Sequence, residues 1–422
     1  MERDLLNIEK TAIELVMNDD IVKKKQMAKK IFDVASEKEV FPSSIYPFYR
    51  ALGRREFSGF TVPAINLRSM TYDLARSIFR VAKRNNAGAF VFEIARSEIG
   101  YTGQSPIEFA SMVLAAAVME GYAGPVFIQG DHFQVNPTKY RENSTKEIGG
   151  LEALIEDAIG SGFYNIDIDS STLVDVSKPD LKEQQLLNYG ICARLTEFVR
   201  RIEPKGVTVS VGGEIGEIGH QNSTPEDLRA FMEGLGSTLD KDLAGVSKIS
   251  VQTGTTHGGV VLPDGSIAQI NLDFNTLGKL SEIARREYGL AGAVQHGAST
   301  LPSEAFHKFV ECGTAEVHLA TEFQNMIYES EHFPADLKKS IYKWLRVNAA
   351  DEAKKDETEE QFFYKTRKKA LGPFKKEIMN LPQHTRDAIA GEIEKKFDFL
   401  FKQLNVVNTI NSVREHVSIS SS

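Results

Sequence analysis

At 422 residues the chain is too long for one minimal domain but fits one large barrel with additions. Hydrophobic residues make up 41%, enough for a sizeable core, so disorder is not expected; the net charge of −8 argues against a nucleic-acid-binding surface but leaves room for a local basic pocket. The two cysteines, Cys192 and Cys312, exclude a disulfide framework, and with no secretory h-region or long apolar run they point to a cytoplasmic chain with no membrane partner.

Residues 1–56 read as a helical, charged N-terminal segment, in which Lys23, Lys24 and Lys25 are a solvated face. From Gly59 the texture changes to short apolar runs separated by amphipathic stretches. Strands are predicted near 60–66, 88–95, 125–130, 164–169, 206–213, 247–254, 291–296 and 315–320. Helices are predicted over 105–120, 148–161, 182–202, 225–236, 273–287 and 303–312. Strand-then-helix alternation argues for a parallel α/β sheet, and eight units argue for its closure into a (β/α)₈ TIM barrel over residues 57–330. The rival, an open doubly wound sheet, usually carries a Gly-rich loop after its first strand; here Asn66 is followed by Leu67, Arg68, Ser69 and Met70. Beyond residue 330 the strands stop. Residues 331–422 read as a C-terminal helical extension, with Leu337, Ile341 and Leu345 at helical spacing, serving packing or oligomerisation; the polar stretch 408–422 reads as a frayed tail.

Three histidines follow predicted strands: His132, His257 and His296. In a barrel the C-terminal strand ends face one side, so residues more than 100 apart in sequence can converge there. Three protein ligands with one open position is the pattern of a catalytic zinc site. Asp131 directly precedes His132; it suits either a general acid/base or a carboxylate that orients a histidine. Glu214 ends its own strand after Gly212 and Gly213 and is a further or alternative ligand; Glu217 and His220 follow it. Asp167 and Asp169 alternate at period two and face one side; Asp167 reads equally well as a binding acid or as half of an internal salt bridge. Gly297, Ala298, Ser299 and Thr300, with Gly254, Thr255, Thr256 and Gly258, supply the N–H groups and hydroxyls that capture a phosphate.

In their order along the chain these residues resemble the class II, metal-dependent fructose-bisphosphate/tagatose-bisphosphate aldolase family. Val62-Pro63-Ala64-Ile65-Asn66 resembles its first strand, and Gly130-Asp131-His132 its Leu-Asp-His. Ile166-Asp167-Ile168-Asp169-Ser170-Ser171 is similar to its Met-Ile-Asp-Gly-Ser, and Val211-Gly212-Gly213-Glu214-Ile215-Gly216 to its Glu-Ala-Glu-Leu-Gly. Gly254-Thr255-Thr256-His257-Gly258 is similar to its Gly-Asn-Val-His-Gly, and His296-Gly297-Ala298-Ser299-Thr300 to its His-Gly-Gly-Ser-Gly.

The resemblance implies a lyase acting on the C3–C4 bond of a ketose (bis)phosphate, with dihydroxyacetone phosphate as one product. It implies Zn²⁺ or another divalent metal on His132, His257, His296 and Glu214, with Asp131 as acid/base. It places Gly258, Gly297, Ser299, Thr321 and Asn66 at the phosphorylated sugar, and makes the chain a homo-oligomer. Three departures stand out. The family's Asn-Ile-Asp-Thr on the eighth strand is His318-Leu319-Ala320-Thr321, and the first glutamate of its Glu-Ala-Glu is Gly212. The family's mobile-loop acid has three candidates here: Glu217, Glu226 and Asp227. A second likeness, carried by residues 100–109, is to the non-catalytic accessory subunit of tagatose-bisphosphate aldolase, whose role is the alternative to catalysis.

Overall fold

The computed structural model describes residues 2–216, 221–254, 272–298 and 301–417. Nine parallel strands form its sheet: β1 (Val40–Ser43), β2 (Val62–Asn66), β3 (Val91–Ala95), β4 (Gly124–Gln134), β5 (Asn165–Asp169), β6 (Ser210–Glu214), β7 (Lys248–Val251), β8 (Ala293–Gln295) and β9 (Glu316–Leu319). Each of β2 to β8 pairs with the next, β9 pairs with β2, and the pairing of β4 with β5 belongs to the same closed circuit. The result is an eight-stranded TIM barrel, with N-terminal helices before it and a helical extension after it. Strands β2, β3 and β5 are buried along their whole length, as expected where helices cover the outside of a parallel barrel.

The helices between the strands start and stop on local signals. Thr224 caps Pro225–Thr238 in a reciprocal box with Asp227, and Asp273 caps Phe274–Tyr288, which ends on Gly289 in the left-handed conformation. Helix Pro106–Met119 is buried on nearly every side because Glu2–Met17 and Ile21–Glu37 lie over it. Asp20 caps the second of these, accepting from the N–H groups of Val22 and Lys23.

Two stretches differ from their expected structure. The N-terminal segment is not wholly helical: Val40–Ser43 forms β1, which adds to the lower part of β4 through Val40 opposite Gly124. The tail is not frayed over its first residues: helix Ile410–His416 docks with Val413 buried, and Ile410 lies close over Gly88, where a β-carbon would not fit. Among the described residues no helix is long and apolar enough to cross a membrane.

Candidate active site

The mouth of the barrel is shaped by an irregularity in β4. Gly130 pairs with Ile166, and the next pairing is Phe133 with Ile168, so one extra residue is inserted between them. His132 absorbs it with φ +42°, a left-handed conformation uncommon outside glycine. Ordinary alternation would turn Asp131 and His132 to opposite faces; the bulge lets both line the same cavity, about 650 Å³ in volume. Gly130 lacks the side chain that would collide with the Phe133 ring beside it.

His132 is held from behind. Its Nδ1 lies 3.1 Å from Asp169 Oδ2 and 3.3 Å from Glu214 Oε2. Asp169 is itself fixed by the Ser171 N–H at 3.1 Å, the Ser171 hydroxyl at 2.7 Å and Gln134 Nε2 at 2.5 Å. A carboxylate on Nδ1 sets the tautomer and turns Nε2 to the cavity side, where Asp131 Oδ1 stands 3.7 Å away. From the end of β8, His296 brings its Nε2 to 3.5 Å from the same Asp131 oxygen, its ring 4.1 Å from that of His132. Donor atoms of Asp131, His132 and His296 lie within 4.8 Å of one another, and so do those of His132, Asp169 and Glu214. Two imidazoles and a carboxylate so gathered, with Asp131 Oδ1 buried and lacking a well-aligned hydrogen bond, fit a divalent metal.

The electrostatics follow from the crowding. Burial opposes the charge on His132, but Asp131, Glu214 and Asp169 hold its imidazole well above the ordinary range. Burial likewise opposes ionisation of Asp131, yet His132 and His318 keep its carboxyl well below the usual value. Burial and then Asp169 push Glu214 up to about 7 against the pull of His132.

The other expected site residues are spread around this centre. Gly297, with φ +68°, and Thr321 line the cavity; Thr321 begins helix Thr321–Glu329, 3.5 Å from Arg68 Nη1. Asn66 does not line the cavity; it is buried behind Glu98, donating to Glu98 Oε2 at 2.6 Å, while Glu98 also accepts from Arg68 Nε at 2.7 Å. Asp227 accepts from the Thr224 N–H and hydroxyl at its helix start, and Glu226 is exposed there beside Arg229. His257, Gly258, Ser299 and Glu217 lie outside the described residues, as do His220 and Thr300.

Sequence reasoning raised Asp167 as half of an internal salt bridge but missed its partners inside the barrel. Lys248 on β7 donates to Asp167 Oδ2 at 2.9 Å, to Gln129 Oε1 at 2.7 Å and to Glu316. Asp167 is thus one side of an internal salt bridge. Glu316 also accepts from the Tyr49 hydroxyl and lies 2.6 Å from His318 Nε2. The same network accounts for Gly212: a side chain there would collide with Asp167 and Lys248, so the space a glutamate would fill is already taken. The signal was there in principle, as charged residues (Glu93, Lys248, Glu316) in the middle of apolar strands. Arg68, Lys139 and Lys368 add positive charge around the cavity.

The family model described as Fructose-bisphosphate aldolase class-II matches residues 50–399. No curated protein matches the chain in sequence. Among solved structures, a probable tagatose 6 phosphate kinase from Sinorhizobium meliloti 1021 is 16% identical with TM-score 0.57, over 84% of this chain and 98% of that one. The fructuronate-tagaturonate epimerase UxaE from Cohnella laeviribosi is 12% identical with TM-score 0.56, over 94% of this chain and 86% of that one. The fructose-bisphosphate aldolase from Campylobacter jejuni is 19% identical with TM-score 0.49, over 86% of this chain and 94% of that one. At these identities the likeness is one of fold.

Proposed function

The chain belongs to the class II fructose-bisphosphate aldolase family, and from that premise we propose that it is a metal-dependent lyase. It would cleave or form the C3–C4 bond of a ketose (bis)phosphate, with dihydroxyacetone phosphate and an aldehyde as the fragments. The observation that carries this reading is the β4 bulge, which sets Asp131 beside His132 and His296 at the barrel mouth.

His132 and His296 would hold Zn²⁺ or another divalent ion, together with His257, which lies outside the described residues; Glu214 stands at the other nitrogen of His132, 3.3 Å from Nδ1. When bound, such an ion supplies Lewis-acid polarisation of the ketone. Asp131 takes the proton from the C4 hydroxyl in cleavage and returns it in condensation, a role suited to a carboxylate held ionised by its imidazole neighbours. Gly297 and Thr321, with Ser299 and Gly258, hold the donor phosphate. A Schiff-base mechanism needs a neutral lysine amine; Lys248, the lysine buried in the barrel floor, is paired with Asp167 and Glu316, which outweigh burial and keep it an ammonium.

The test is a panel of ketose bisphosphates offered to the purified chain with divalent metal. Two three-carbon fragments are expected. EDTA abolishes turnover, whereas borohydride with substrate leaves the enzyme intact. Replacing His132, His257 or His296 by alanine removes the ion held by these histidines, read as a loss of about one ion per chain on elemental analysis. Full metal occupancy in all three variants, or no turnover of any ketose phosphate by the metal-loaded chain, overturns the reading; the latter outcome points to the accessory role.

A further inference from the structure

Beneath the two histidines assigned above, the barrel floor holds two trios of possible cation ligands that share His318: Asp167, Glu316 and His318, and above them Glu93, Asp131 and His318. The lower trio has a built-in cation, the Lys248 ammonium, which contacts both of its carboxylates. Among the described residues no lysine or arginine contacts the upper trio. Glu93, Asp131 and His318 line the cavity and are 0%, 5% and 4% exposed. Glu93 Oε1, Asp131 Oδ1 and His318 Nδ1 make no well-aligned hydrogen bond among the described residues. Gln129 Nε2 serves only the other oxygen of Glu93, at 3.1 Å. Leaving such groups buried without a well-aligned partner is costly.

We propose that Glu93, Asp131 and His318 bind a second divalent cation, separate from the one held by His132 and His296. The spacing suits it. His318 Nδ1 is 3.0 Å from Glu93 Oε2 and 3.2 Å from Asp131 Oδ1. Donors sharing one ion at about 2.1 Å stand roughly 3.0–3.4 Å apart in octahedral or tetrahedral arrangement. Two carboxylates and one imidazole form a harder donor set than a histidine cluster, and favour Mn²⁺ or Mg²⁺ over soft metals. Asp131 gives this ion one oxygen and keeps the other for the proton transfer proposed above.

The test is equilibrium dialysis against Mn²⁺ with elemental counting, on wild type, Glu93→Gln, His318→Asn and His132→Ala, each checked for folding by circular dichroism. Wild type binds about two ions per chain. The isosteric Glu93→Gln binds about one and so does His318→Asn, while His132→Ala retains the ion at Glu93. A wild type that binds one ion, kept in Glu93→Gln and lost in His132→Ala, overturns this inference and leaves the aldolase reading standing. A single ion with the reverse pattern upholds the inference and removes the His132 site from the aldolase reading.

Discussion

His132 shows what one backbone torsion does to a site. A β-carbon residue in the left-handed region costs roughly 1–2 kcal/mol, and here that cost turns Asp131 and His132 to one face. Asp131→Ala therefore separates two roles. As acid/base, Asp131 contributes about 10²–10⁴ in kcat, so the variant loses that much while Zn²⁺ stays on His132 and His296. As an orienter of histidine, its loss lowers Zn²⁺ affinity about 10–100-fold instead. Steady-state kinetics and Zn²⁺ titration on the same variant distinguish them. Further around the mouth, His318 and Ala320 both line the cavity, where the resemblance supplies asparagine and aspartate. An imidazole already engaged by Glu316 and a methyl group make a poor match to that pair's substrate contacts, and losing a partner of a buried polar group costs about 1–3 kcal/mol. Fructose 1,6-bisphosphate is expected to be a weak substrate, with another ketose phosphate better. A kcat/KM on it near 10⁴ M⁻¹s⁻¹ or above, an ordinary enzyme value at about that order, would falsify the claim that β9 sets specificity.

At the scale of elements, all eight barrel strands were legible because each is a short apolar run bounded by turn residues and followed by a helical period. β1 was not, since Val40, Phe41, Pro42 and Ser43 follow a long charged helix and only the edge of β4 makes them a strand. The docked helix Ile410–His416 was hidden by its polar composition; the hole over Gly88 that receives Ile410 has no trace in the local sequence. In the site, Asp131, His132 and His296 could be read from their position at strand ends. Glu93, Lys248 and Glu316 could not be assigned, because an inward charge has meaning only once its partner on another strand is known. The same holds for Asp73 and Arg386, 3.3 Å apart between helices Thr71–Arg84 and Gln383–Gln403. Burial, outweighing Arg386, raises the Asp73 carboxyl to about 6 from its usual 3.8. The unfolded chain then releases this proton at lower pH than the folded one, so stability falls as pH rises from about 4 to about 6 and is level above. The loss from this residue is about 3 kcal/mol. Asp73→Asn removes that slope. Urea unfolding at pH 4 and pH 7 is expected to show the variant gaining on wild type by about that amount; an unchanged gap means Asp73 titrates normally.

On the scale of the whole molecule, the extension beyond the barrel is part of the core. Ile389, Ile393, Phe397, Leu400 and Phe401 on helix Gln383–Gln403 are essentially fully buried and belong to the same apolar cluster as the barrel residues. Phe401 packs 5.4 Å from the Phe90 ring before β3, and Phe397 4.9 Å from Phe323 after β9, so the helix spans the seam where the first and last barrel strands meet. Further back in the extension, Lys368, in the turn Arg367–Ala370, reaches the cavity itself. Exposing five large apolar side chains forfeits about 1.5–3 kcal/mol each, a sum of the same order as the roughly 5–15 kcal/mol that holds an ordinary domain folded. A chain ending at residue 330 is therefore expected to be insoluble or to lack a cooperative thermal transition. The milder Phe397→Ala should stay folded, lose about 3–5 kcal/mol and melt at lower temperature, with its divalent metal retained because the cavity ligands sit on other elements. Calorimetry on both proteins checks this. A truncated chain that melts cooperatively at the wild-type temperature would show that the barrel closes its own seam and that the extension only decorates it.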